Sequence, residues 1–96
     1  MLIGTLTITL HLHGLGSLKD KRKIVKSVIG RIKSRYNFAI AEVDSQDSKA
    51  VAVIGMSTVS NDSVYINQLL DKVLDFVRAD GRFYMASVDR EIFSSK

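Results

Sequence analysis

Residues 2–12 alternate with a period of two. Leu2, Gly4, Leu6, Ile8, Leu10 and Leu12 fall on one side, and Ile3, Thr5, Thr7, Thr9 and His11 on the other. That pattern predicts a strand with one buried face. Gly14 and Gly16 break it. Ser17 then offers an N-cap, with Asp20 three residues later. From Leu18 to Arg35 the period changes to 3.6: Leu18, Ile24, Val25, Val28, Ile29, Ile32 and Tyr36 share one sector of a helix. Asn37 is expected to close it in the left-handed conformation. Phe38–Val43 reads as a second strand. The polar run Asp44–Lys49 reads as a hairpin loop, and Ala50–Val59 as a third strand. The third strand is almost continuously apolar, as expected for a central strand covered on much of both faces. Ser60, Asn61 and Asp62 are all capable caps for a second helix over Ser63–Ala79, whose apolar sector is Ile66, Leu69, Leu70, Val73, Leu74 and Val77. Gly81 is a candidate C′ residue. Phe83–Phe93 is the fourth strand, with Tyr84, Ala86, Val88 and Ile92 expected on one face, and Ser94–Lys96 is expected to fray.

The order β-α-β-β-α-β, with right-handed crossovers that put both helices on one side, predicts a four-stranded antiparallel sheet. This is an α+β fold, the ferredoxin-like plait, with spatial strand order 4-1-3-2. Ninety-six residues allow one domain, over 1–96, large enough to fold without staples. The fold hosts many unrelated functions, so chemistry must come from particular residues. The absence of Cys excludes a disulfide framework, a zinc-thiolate or iron–sulfur site and a cysteine nucleophile. No apolar run approaches the roughly 20 residues of a membrane span. The N-terminus carries no basic segment of the signal-peptide type, so the expected location is cytoplasmic.

Charge changes the picture most. The net charge is +4, but residues 19–35 alone carry +7 and the remainder −3. Lys19, Arg22, Lys23, Lys26 and Lys33 fall within about 100° of the helical wheel, beside or opposite the apolar stripe. Like charges at three- and four-residue spacing cost the helix a few tenths of a kcal/mol per pair. A row of cations suits a polyanion whose binding releases counterions, which makes these five residues the candidate nucleic-acid-binding set. A solvated polar face is the plainer alternative. Lys21 is the exception, because its wheel angle points into the apolar sector. The expectation is a packed stem with the ammonium snorkelling out; the alternative is a salt bridge to Glu42 or Asp44.

Other signals are weaker. His11-x-His13 has strand spacing, but no third His and no Cys exist to complete a metal site. Ser17, Ser57 and Ser60 lack an adjacent His-plus-acid set. Gly14-Leu15-Gly16 before a helix is neither a phosphate loop nor a dinucleotide fingerprint, although an anion could dock at such a turn. Glu42, Asp44 and Asp47 read as a solvated loop cluster. The two central strands contain no Phe, Tyr or Trp, which argues against base stacking there in the manner of sheet-type RNA binders. Either Val51, Val53 and Val59 or Ala50, Ile54 and Met56 must face away from the helices. A second copy of the chain covering that face is the expected consequence.

The run from Ser17 through Asp47, followed by Gly55–Asp62, resembles the YlxP-like family of small bacterial proteins. The matching positions are Ser17, Leu18, Lys19, Asp20, Lys21 and Arg22, then Lys26 and Ser27, Arg31 and Arg35, Tyr36 and Asn37, Ala41, Glu42 and Val43, and Val59 and Ser60. The resemblance covers about residues 2–93. Relatives often carry a Trp shortly after the Asp matching Asp47, where this chain has Ser48-Lys49-Ala50. The resemblance implies the plait. Members' genes often lie near those for ribosome-binding factor A and translation initiation, which implies a ribosome or RNA connection. The expectation is therefore a non-enzymatic RNA- or ribosome-associated domain, with no cofactor, metal, membrane or small-molecule substrate. The alternative is a homodimeric interaction module built on the helix-free face.

Overall fold

The computed structural model describes residues 1–14 and 16–95. The elements are β1 (Leu2–Leu12), α1 (Leu18–Arg35), β2 (Ala39–Asp44), β3 (Val51–Ser60), α2 (Ser63–Arg78) and β4 (Phe83–Ser94). They form one sheet in the order β2-β3-β1-β4, with every neighbouring pair antiparallel. This is the expected ferredoxin-like plait.

Alternation along β1 decides which side is which. Leu6, Ile8, Leu10 and Leu12 are buried, together with Ala52, Ile54 and Met56 of β3, against Val25, Val28 and Ile32 of α1 and the apolar stripe of α2. Each of these side chains larger than alanine contributes about 1.5–3 kcal/mol on burial. Val51, Val53 and Val59 therefore take the helix-free side, which resolves the choice the sequence left open. Gly4 belongs to the buried set for a steric reason. A Cβ there would run into Ile66, so the missing side chain lets α2 sit close to β1.

The helix starts follow the sequence and the ends do not. Ser17 Oγ accepts from Asp20 N at 3.1 Å. Of the three candidate caps for α2, Asp62 is the one used, accepting from Val64 N and Tyr65 N at 2.9 and 3.3 Å. At the end of α1, Tyr36 is extended with its N–H on Ile32 O, and Asn37 is not left-handed. The chain turns at once toward β2, and the Asn37 carbonyl is taken by the Thr58 hydroxyl at 2.9 Å. Gly81 is likewise not in the left-handed region. Ala79 continues α2 in right-handed geometry, and Asp80 N bonds to Val77 O at 3.1 Å. At the other terminus Ser94 extends β4, and Ser95 N donates to Met1 O at 2.8 Å, so these two residues are held where fraying was expected; Lys96 lies outside the described residues.

The fourth strand departs most from a simple alternation. Thr9 pairs with Ser87 but Leu10 pairs with Met85, so Ala86 is an extra residue. Such a bulge shifts the side-chain parity by one. Val88 and Ile92 face the core after it, and Phe83 and Met85 face the core before it. Tyr84 is thereby moved to the helix-free side and does not share a face with Val88 and Ile92 as expected.

Lys21 does not snorkel. It has no solvent exposure. Its Nζ lies 2.9 Å from Glu42 Oε2 of β2, and it donates to the carbonyl of Ser45 and, at 3.4 Å, to that of Gln46. Ser45 sits in the hairpin after β2 with a left-handed φ of 59°. The Lys21–Glu42 approach falls outside hydrogen-bond angles, so among the described residues this sheltered Oε2 has the lysine charge as its partner. The salt-bridge alternative holds because the hairpin closes over the first turn of α1 and leaves the stem no path to water. Removing one partner strands the other. Lys21→Ala should cost about 3–5 kcal/mol in urea unfolding, whereas the double change Lys21→Met with Glu42→Leu should recover most of that loss.

Candidate nucleic-acid interface

With Val25, Val28 and Ile32 turned inward, α1 must present its opposite side to solvent. Lys19, Arg22, Lys23, Lys26 and Lys33 are all exposed there. Among the described residues none of the five lies within ion-pair distance of a carboxylate; the pairs formed are Lys21–Glu42, Arg78–Asp75, Arg82–Asp80 and Arg90–Asp71. Asp20, the single acid of the helix, lends its backbone N–H to Ser17. The stripe is a row of cations with no internal neutralisation.

The remaining arginines of α1 sit on another flank. The Arg35 guanidinium lies over the Phe76 ring at 4.8 Å, with Tyr36 edge-on to the same ring at 6.3 Å. Arg31 borders an open hollow of about 450 Å³ with Phe76, Asp80 and Arg82. Arg82 Nε reaches both Asp80 oxygens at 2.9 and 3.1 Å, and its terminal nitrogens reach Ser27 Oγ at 3.4 Å. These bonds tie the start of β4 to α1. The Arg82 guanidinium bonded to its carboxylate holds Asp80 below the usual carboxylate range, and Arg31 adds to the effect. The donors of Arg82 are thus committed within the protein.

The helix-free face divides into distinct parts. Ile3, Val59 and Phe93 stand in one row across β3, β1 and β4, and Val59 and Phe93 are 58% and 44% exposed. Val43 folds over Gly55, where a Cβ would meet its methyls at 3.0 and 3.3 Å. Thr5 and Thr7 form the ridge between two shallow hollows of about 440 and 280 Å³. At the far end, Tyr84 stands opposite His11, with Tyr84 Oη 3.1 Å from His11 Nδ1 and ring centroids 5.0 Å apart; His13 is 6.0 Å from the same ring.

Other residues singled out in the sequence have structural tasks. Ser17 caps α1, and Ser60 Oγ accepts from Asp62 N at 3.1 Å. Ser57 lies half-buried on the helix-free face. Asp44 accepts from Ser45 N at 2.7 Å, while Asp47 is exposed. No group of three or more His, Cys, Asp or Glu among the described residues is placed to hold a metal. Gly14 has a φ of 56°; Leu15, in the turn considered for anion docking, lies outside the described residues. No helix of the described residues is long and apolar enough to cross a membrane. Sequence reasoning missed the Tyr84–His11 pair, because strict alternation put Tyr84 with the core residues; the signal was two consecutive aromatics, Phe83 and Tyr84, that one strand face cannot both bury.

Strand order, helix placement and the cationic outer helix define a small α+β protein of the ferredoxin-like class. A family model described as "Protein of unknown function (DUF503)" matches residues 3–90, and the chain belongs to that family. It is 32% identical over 66 residues to the "Uncharacterized protein YlxP" of Bacillus subtilis (strain 168), across 69% of this chain and 72% of that protein. Among solved structures it is similar to the de novo designed protein Foldit4, with TM-score 0.54, 13% identity and coverage of 99% and 98% of the two chains. It is also similar to SnoaB, a cofactor-independent oxygenase from Streptomyces nogalater, with TM-score 0.53, 11% identity and coverage of 100% and 95%. At such identities these likenesses show the fold alone.

The Asp80 pair gives a pH test. A carboxyl held below its unfolded value stabilises the fold above about pH 4, and that contribution is lost as pH falls through the lowered value. Asp80→Asn should cost about 1 kcal/mol or less near neutrality, as expected for a screened pair. It should also flatten the decline in stability below pH 4, read by urea unfolding across a pH series.

Proposed function

We propose that the chain is a non-enzymatic, cytoplasmic RNA- or ribosome-associated domain that docks through the outer face of α1. One observation carries this reading: five exposed cations in register along the helix, none of them paired with a carboxylate among the described residues. A helix that keeps unrelieved like-charge repulsion along its outer face, on a chain whose remaining residues are net acidic, is suited to a polyanion. The bonds do not depend on base identity, because lysine and arginine on a phosphate backbone position a protein without specifying sequence. Filter binding to a structured RNA should weaken steeply with salt. Lys23→Glu with Lys26→Glu should flatten the log–log slope by about 0.9 for each phosphate no longer neutralised. Binding that ignores salt, or no binding at low salt, refutes the reading.

The apolar residues of the helix-free face favour a second reading, a homodimer through that face. Val43, Val59 and Phe93 are between 44% and 58% exposed there, beside half-buried Val51 and Val53. Strand spacings of about 4.8 Å and a rise of about 3.4 Å per residue give the face roughly 600 Å² in plan. That approaches the ~800 Å² per partner of a standard interface. Equilibrium sedimentation at micromolar concentration should return twice the 10.7 kDa chain mass; a strict monomer removes this reading. The two surfaces lie on opposite sides of the sheet.

A further inference from the structure

The bulge at Ala86 has a specific product. Without the extra residue, the register that pairs Thr9 with Ser87 would set Tyr84 opposite Leu12, on the core side. With it, Tyr84 stands opposite His11 and Phe83 opposite Leu12. Phe83 is then buried, while Tyr84 remains 54% exposed. Bulges are often found where a side chain has been re-aimed for a purpose. Here the result is an exposed aromatic corner of Tyr84, His11 and His13 on the helix-free face, with the Tyr84 ring fixed by the His11 contact at 3.1 Å.

The position of the corner is as informative as its composition. His13 N bonds to Arg82 O at 3.1 Å, which holds the end of β1 against the start of β4. Four residues further on, Ser17 caps α1, whose first two turns carry Lys19, Arg22 and Lys23. The aromatic corner and the N-terminal half of the cationic stripe therefore occupy the same end of the molecule, the corner at the β4 edge of the helix-free face and the stripe on the helical face, where the first turn of α1 packs against the hairpin after β2. Cations that follow the backbone and exposed rings that stack on bases are together the means by which proteins hold single-stranded nucleic acid, and a strand of several nucleotides rounding this end of the molecule would meet both. A duplex cannot use the rings, because its bases are already stacked.

We infer that the Tyr84–His11–His13 corner is a stacking platform for an unpaired base of a single-stranded RNA whose phosphates run along the start of α1. The inference rests on the helix reading above and adds the ligand class and a second contact site. Tyr84 supplies the ring face, His11 sets its orientation, and His13 flanks it.

The test uses a labelled oligouridylate of about a dozen nucleotides, within the span one small domain covers, and an RNA duplex of the same length. Tyr84→Ala should weaken oligouridylate binding about tenfold to a hundredfold with the salt slope unchanged, and leave duplex binding as it was. Tyr84→Phe should retain affinity. Because the chain has no Trp, tyrosine emission can be followed directly. Oligouridylate should quench it in the native protein, and the quenched component should vanish in Tyr84→Phe. Equal affinity of Tyr84→Ala and native protein, with weakening by the Lys23 and Lys26 reversals, overturns the corner and leaves the helix reading intact. No RNA binding by the native protein at low salt overturns both. A Tyr84→Ala change that alters the sedimentation mass but not RNA affinity assigns the corner to a protein interface and overturns the inference.

Discussion

An ammonium group removed from water must find charge and acceptors inside the protein, and for Lys21 the groups that meet it belong to β2 and the hairpin that follows. Glu42 supplies the charge; Ser45 and Gln46 supply carbonyls. A buried pair of this kind is weak evidence for added stability, since apolar residues could fill the same space at no loss. Its value is positional. The first turn of α1 cannot rotate or slide without uncoupling a charge from its partner, so the helix is fixed in azimuth as well as depth. That azimuth decides which residues face outward. The same geometry that buries Lys21 therefore exposes Lys19, Arg22 and Lys23 on either side of it.

The far half of α1 is fixed differently. Arg82 spans from Asp80 to Ser27, and Arg35 covers the Phe76 ring. Of the α1 arginines on this flank, Arg35 is engaged by Phe76 of α2, while Arg31 only borders the hollow; the cations of the stripe have no partner of either kind among the described residues. Cations on one helix thus separate into a group that holds the fold together and a group that faces solvent. Counting charges by segment does not separate them; only their partners do.

Element order, the buried face of β1 and both helical stripes could be read directly from the chain, because period two and period 3.6 are strong signals over segments of ten or more residues. What escaped reading depends on contacts between segments. Asn37 and Gly81 suggested left-handed helix ends, but Thr58 takes the Asn37 carbonyl and Asp80 turns back to Arg82. The fate of Lys21 depended on where a hairpin more than twenty residues away would close. Tyr84 was misplaced because alternation assumes a regular strand, and a single extra residue inverts the assignment for all residues on one side of it. The five stripe residues needed only the helical wheel, because nothing else in the fold claims them.

The bulge also changes how related chains should be compared. Side-chain orientation along β4 is set by residue count between Phe83 and Ser87, not by residue identity alone. A relative that keeps the tyrosine but lacks one residue in that interval would turn its ring into the core. One with a different aromatic but the full count would keep a ring on the surface. Whether a relative shares this corner is therefore recorded in the placement of a gap, a feature that scores of residue similarity treat as noise.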